Sequence, residues 1–184
     1  MYEDTGLERK FCRFDKELTV SGEAGIAGYA SLFGATDQGG DVVAAGAYGA
    51  SLKRLAGQGR RVKMLWQHDP AQPIGIWDEV REDARGLYVK GRILDSVEKG
   101  REAAALIAAG AIEGLSIGYR TLRAARDDDG RRLLKELELW EVSLVTFPML
   151  PSARVAAKGD GLAADDLREL AAVFGDARRD LGRG

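Results

Sequence analysis

The sequence holds one histidine, His68, so imidazole chemistry near neutral pH has a single address. It lies in Val62-Lys63-Met64-Leu65-Trp66-Gln67-His68-Asp69-Pro70, at the polar end of a run that reads as a buried strand. Forty-eight residues on, Gly114-Leu115-Ser116-Ile117-Gly118-Tyr119 sets a serine among glycines and apolar side chains. A hydroxyl activated by an imidazole base performs acyl transfer, and these two residues are the candidates for nucleophile and base. A histidine ending a strand and a serine inside a bulged one are more often structural, so the elements around them have to decide.

The residues before Val145 supply a third candidate. On a regular strand Leu137, Leu139, Glu141, Ser143 and Val145 share one face, with Glu136, Glu138 and Trp140 on the other. A carboxylate on an apolar face needs a polar or cationic partner. An imidazole N–H suits it, because a carboxylate behind a catalytic histidine fixes the tautomer and stabilises the imidazolium. Glu141 is therefore the expected orienter of His68, with Ser143 on the same face able to hydrogen-bond it. A bulge at Trp140 is the competing possibility; it would shift the parity and turn Glu141 to solvent. Asp69 is the rival orienter, ranked lower because a residue adjacent to His68 points the opposite way on a regular strand.

The elements that must carry these groups are mostly strands. Alternation of apolar and polar residues predicts strands over 11–20, 25–33, 61–67, 74–80, 86–94, 112–124 and 132–145. A helix is expected over 46–56, with Tyr48, Leu52 and Leu55 at helical spacing, and another over 95–109, opened by the capping-box pattern Asp95-Ser96-Val97-Glu98 and ended by Gly110. Strands with two inserted helices predict an α+β, mainly β fold: a closed or nearly closed antiparallel β-barrel with peripheral helices. Residues 1–157 would form that domain. Residues 158–184 would be a linker, Lys158-Gly159-Asp160-Gly161, and an amphipathic helix with the stripe Leu167, Leu170, Ala171 and Phe174.

Composition narrows the function. The 184 residues carry a net charge of −2 with both signs interspersed, which argues against a nucleic-acid partner. One cysteine, Cys12, and one histidine make neither a disulfide nor a recognisable zinc cluster, so no metal and no cofactor is expected. The first residues lack a signal-peptide pattern and the apolar run 103–112 is about half a membrane span, so a soluble cytoplasmic chain is expected.

Several segments, in order and closely connected, resemble the prohead (capsid-maturation) serine proteases of tailed bacteriophages, a family similar to the herpesvirus assemblins. They are Gly28-Tyr29-Ala30-Ser31-Leu32-Phe33, Gly40-Asp41-Val42-Val43, Gly46-Ala47-Tyr48 with Ser51-Leu52, Met64-Leu65-Trp66-Gln67-His68-Asp69, Pro73-Ile74-Gly75, Gly86-Leu87-Tyr88-Val89, Gly114-Leu115-Ser116-Ile117-Gly118-Tyr119 and Trp140-Glu141-Val142-Ser143-Leu144-Val145. The resemblance puts the family's histidine on His68 and its nucleophile on Ser116. Assemblins use a second histidine as third member, which this sequence does not possess. The resemblance implies an assemblin-like barrel, a capsid protein precursor or its scaffolding segment as substrate, action inside assembling proheads in a bacterial cytoplasm, and a homodimer as a plausible state. It also draws attention to Arg154, for which a solvated surface role is expected. A scaffolding module that keeps the barrel without catalysis is the alternative. An esterase is the third reading, and Gly114, Ser116 and Gly118 match its Gly-x-Ser-x-Gly spacing, but a strand is expected to follow where a nucleophile elbow opens a helix.

The narrow stripe after Gly161 offers enough apolar area for a partner helix and little for an internal core. Truncation after Lys158 is expected to leave the thermal midpoint unchanged and to abolish delivery into the shell or subunit pairing; a truncated chain that cannot fold would place the helix in the core.

Overall fold

The computed structural model describes residues 8–13, 25–37, 39–112 and 114–146, of which residues 9–13 by backbone alone. The expected helix beyond residue 161 and Arg154 lie outside the described residues. The elements in chain order are β1 (Glu8–Arg13), β2 (Gly25–Leu32), β3 (Asp41–Val43), α1 (Gly49–Gly57), β4 (Lys63–Trp66), β5 (Asp69–Glu82), β6 (Gly86–Ile93), α2 (Glu98–Ala108), β7 (Gly114–Arg126) and β8 (Arg132–Val145). The hydrogen-bonded order is β1-β7-β8-β4-β5-β6-β2, with β3 beside β8.

This is a mainly β fold with two helices, built on one strongly curled, open sheet. Two parts of the expected architecture are corrected. The sheet is not a closed barrel: β1 and β2 end the path, with no ladder between them among the described residues. Nor is it wholly antiparallel, because β3 and β4 both run parallel to β8. They lie end to end along the same edge, β3 against Arg132–Leu134 and β4 against Glu141–Leu144. In the interval, α1 and the turn before it take over the edge: Leu137 N donates to Ala47 O at 2.9 Å and Leu139 N to Ser51 Oγ at 2.9 Å. α1 thus joins β3 to β4 while filling the gap between them, and the connection from β4 to its parallel neighbour β8 runs through β5, β6, α2 and β7.

Several boundaries move for local reasons. Helix α2 begins three residues after the expected cap: Val97 is its extended N-cap and no side chain caps it. A turn occupies the residues before it, with Val97 N donating to Leu94 O at 3.2 Å. β5 runs through Pro70 and Pro73, which were expected to precede the strand. They are tolerated because β6 pairs with β5 only from Gly75 onward, and the β4 ladder is irregular around Pro73. The three-residue β3 is too short to show periodicity.

The apolar face of the sheet gathers Ile26, Ala30, Met64, Ile74, Trp77, Leu87, Val89, Ile93, Leu115, Ile117, Tyr119, Leu137, Leu139, Val142 and Leu144 around Tyr48 and Ala103. Leu52 and Leu55 of α1 pack against that core, as their spacing predicts. The β5–β6 turn is tied by Asp83, which accepts from Tyr29 Oη at 2.8 Å, Arg81 Nη1 at 2.7 Å, Arg85 N at 2.9 Å and Gly86 N at 3.2 Å. The Tyr29 bond first, then the backbone amides and Arg81, hold the Asp83 carboxyl down at about 2 against an ordinary 3.8. Its folded value lies below its unfolded one, so its stabilisation is present above about pH 4 and is lost as pH falls toward 2. Asp83→Asn should therefore flatten the decline of the thermal midpoint between about pH 4 and pH 2, measured by circular dichroism.

Candidate functional site

β8 contains one irregularity that decides the site. Gly118 pairs with Glu141 but Tyr119 pairs with Leu139, so Trp140 is an extra residue, a β-bulge. Before it the core-facing residues are Leu137 and Leu139; after it they are Val142 and Leu144. The bulge weighed against the regular strand thus exists, and Glu141 does not share a face with Leu137 and Leu139. It does not reach solvent either, being 6 % exposed. Glu141 and Ser143 lie on the sheet face opposite the core, and directly paired residues of antiparallel strands share a face. Ser116, opposite Ser143, and Gly118, opposite Glu141, therefore join them there.

His68 reaches this face through a turn. Trp66 pairs with Asp69, leaving Gln67 and His68 as a two-residue loop with φ of 51° and 62°, both left-handed, the signature of a type I′ hairpin. Gln67 N still donates to Leu144 O at 3.0 Å, and Gln67 Nε2 donates to Thr146 Oγ1 at 2.6 Å. A straight continuation of β4 would carry residue 68 to the core side with Met64 and Trp66. The turn folds it back over β8 instead.

His68 Nδ1 lies 2.6 Å from Glu141 Oε1, with side chains 5 % and 7 % exposed. Ser143 Oγ donates to Glu141 Oε2 at 2.5 Å and accepts from His68 N at 3.1 Å. The donors and acceptors form one consistent set: the carboxylate accepts at both oxygens, the serine proton goes to Glu141, and the imidazole proton sits on Nδ1. Asp69 is engaged elsewhere, accepting from Ala71 N at 2.9 Å and Gln72 Nε2 at 2.8 Å. Ser116 is fully buried in the body of β7, with strand on both sides of it. The strand-to-helix elbow of the esterase reading is absent at that residue.

Gly118 has a role that its sequence pattern did not reveal. A Cβ on it would stand 2.2 Å from Glu141 Oε1 and 2.9 Å from its Cδ. The missing side chain is the space the carboxylate occupies. Beside His68 and Glu141 opens a cleft of about 450 Å³, lined by α1, the residues leading into β4, and the bulged part of β8. Its basic lining went unnoticed in the sequence, where Arg54, Arg60, Arg61 and Lys63 are spread over ten residues. No cluster of three or more metal-ligating side chains occurs among the described residues.

Because His68 is the sole histidine, the site has its own spectroscopic reporter. Gly118→Ala should fold, at a cost of about 1–3 kcal/mol for overpacking. It should also push the Glu141 carboxylate off the ring, so that the downfield Nδ1 proton resonance of wild type disappears from the ¹H spectrum. A retained resonance would mean that the carboxylate tolerates the methyl group.

Comparison with known proteins identifies the family. Residues 13–166 match the family model of the caudovirus prohead serine protease. The prohead protease of Enterobacteria phage HK97 is 36 % identical over 148 residues, covering 77 % of this chain and 63 % of that protein. The prohead protease of Escherichia phage T5 is 32 % identical over 124 residues, covering 67 % and 57 %. The chain thus spans somewhat less than two thirds of the length of these relatives. The solved bacteriophage T4 capsid assembly protease, gp21, shares the fold with a TM-score of 0.64 at 17 % identity, over 77 % of this chain and 98 % of that one. With more than half of its length matched by the family model, and a buried carboxylate–imidazole pair on the sheet face that carries Ser116, the chain belongs to the caudovirus prohead serine protease family.

Proposed function

We propose that the protein is a serine endopeptidase that cleaves capsid or scaffolding proteins inside an assembling prohead, with Ser116 as nucleophile, His68 as general base and Glu141 as the group that orients His68. The observation that carries the reading is the 2.6 Å contact between His68 Nδ1 and Glu141 Oε1 on the face that also bears Ser116. With the proton held on Nδ1, the basic nitrogen is Nε2. Nε2 takes the Ser116 Oγ proton as Oγ bonds to the peptide carbonyl carbon; the tetrahedral intermediate collapses, and the imidazolium returns that proton to the leaving amine. Water then hydrolyses the acyl-enzyme with His68 again as base. Glu141 stabilises the imidazolium in both halves, and Ser143 holds the carboxylate and the His68 backbone in register.

The names of the relatives support the substrate class: two are prohead proteases and the structural neighbour is a capsid assembly protease. Among the described residues no helix is long and apolar enough to cross a membrane. The burial of Ser116 favours the second reading, a scaffolding module on the same sheet, in which that serine merely packs. Co-expression with the neighbouring major capsid protein and intact-mass measurement separate the two. Ser116→Ala and His68→Ala should each abolish the mass shift of the capsid protein while keeping the fold, because members of one nucleophile–base unit fail together. Glu141→Gln should lower the rate by several powers of ten. More than about a hundredth of the wild-type rate in folded Ser116→Ala would overturn the peptidase reading.

A further inference from the structure

We infer that Ser51 of α1 is a positioning residue for the His68–Glu141 pair: its hydroxyl fixes the β8 backbone where the bulge begins and so sets where Glu141 stands. The effect on rate rests on the peptidase reading; the effect on the geometry at His68 does not. Ser51 is the one buried residue of α1, 1 % exposed, whereas Leu52 and Leu55 of the same helix are only partly buried. The best-covered position of an amphipathic helix ordinarily carries an apolar side chain, and a hydroxyl there is costly unless it is hydrogen-bonded. Its partner is the amide of Leu139, at 2.9 Å.

That amide stands at a gap in the edge of β8. β3 borders Arg132–Leu134 and β4 borders Glu141–Leu144, so Leu139 falls where neither strand flanks it, next to the inserted Trp140. Two residues earlier a backbone carbonyl, Ala47 O, still serves Leu137 N. At Leu139 the Ser51 hydroxyl is the acceptor that a neighbouring strand would otherwise supply. A bulge bends the strand that carries it, and here Glu141 follows the bend directly. Ser51, Leu139, Glu141 and His68 all border the cleft of about 450 Å³, so part of what surrounds the bend is open space and not packed side chains. The support itself is firm: Tyr48, just before α1, is fully buried, and its amide donates to Glu82 Oε1 of β5 at 3.0 Å. Contacts therefore run from β5 through α1 and Ser51 to the bulge, and from Glu141 to His68.

The test compares the full chain as wild type, Ser51→Ala, Ser51→Cys and Ser51→Thr. Ser51→Ala removes the acceptor, Ser51→Cys nearly keeps the volume but accepts only weakly through sulfur, and Ser51→Thr keeps the hydroxyl. Ser51→Cys also carries the test should Ser51→Ala fail to fold, as judged by circular dichroism. The downfield Nδ1 proton resonance of His68 should be lost or shifted upfield in Ser51→Ala and Ser51→Cys and restored in Ser51→Thr. On a peptide spanning the bond that co-expression identifies, kcat should fall about ten- to a hundredfold in the first two variants, the size of effect a misplaced catalytic group produces. KM should stay within about twofold, because substrate binding is not what Ser51 serves. Ser51→Thr should recover the rate, and Gln58→Ala, in the same cleft, should change neither reading. An Nδ1 resonance unmoved in the folded Ser51→Ala or Ser51→Cys protein, or missing from wild type, would overturn the inference, and so would a Ser51→Thr protein as damaged as Ser51→Ala. A lower thermal midpoint with resonance and kcat unchanged would make Ser51 a structural residue only. A resonance that depends on Ser51 in a wild type that cleaves nothing upholds the positioning and refutes the peptidase; cleavage with a resonance indifferent to Ser51 does the reverse.

Discussion

The contact between the His68 imidazole and the Glu141 carboxylate is the constraint that the neighbouring irregularities serve. A carboxylate that is 6 % exposed must be fully paired, since breaking such a buried pair costs several kcal/mol. Both of its oxygens are taken, one by the ring and one by Ser143. The ring reaches it only through two non-glycine residues in left-handed conformation, at roughly 1–2 kcal/mol each. Strain of that kind persists where the surroundings hold it, and here the Gln67 amide, the Gln67 side chain and the His68 amide are all tied to residues 143–146.

The bulge at Trp140 solves a conflict of parity. β7 keeps Leu115, Ile117 and Tyr119 on the core and so keeps Ser116 and Gly118 on the other face. A regular β8 could not place both Leu139 on the core and Glu141 on the face of Ser116, because the two differ by an even number of residues. One extra residue lets Leu137 and Leu139 face the core before it and Val142 and Leu144 after it. The same insertion frees the edge near Leu139, where Ser51 accepts the amide, and turns Trp140 outward to the cleft.

Residue chemistry was legible in the sequence; the geometry that delivers it was less so. His68 and Glu141 stood out because a lone imidazole and a carboxylate in an apolar run have few alternatives, and the structure brings them together. The reason given for Glu141, a shared face with Leu137 and Leu139, was wrong, because a bulge leaves no mark in a two-residue period. Asp95 matched a capping box by type and spacing, yet residues 94–97 form a turn and the helix starts after Val97. The role of Gly118 was hidden for a related reason: a glycine in a strand announces close approach, not what approaches.

The parallel pairing of β4 with β8 is the topological condition for the site, and it is the feature that a hairpin-by-hairpin reading of the sequence cannot supply. Parallel strands bring like ends together, so the turn that closes β4 arrives beside the C-terminal end of β8, at the level of Ser143 and Leu144. β7 runs antiparallel to β8, which brings its N-terminal end, with Ser116, to that same level. Had β4 joined β8 antiparallel over the same residues, its closing turn would lie at the Glu141 end of that pairing, toward Leu139, and His68 would sit past the carboxylate on the side away from Ser116. α1, which joins β3 to β4, covers the edge of β8 between these two strands. The helix that reads in the sequence as peripheral thus completes the edge of β8 along which β4 ends, and the turn after β4 carries His68 to Glu141 on the face that also bears Ser116 of β7.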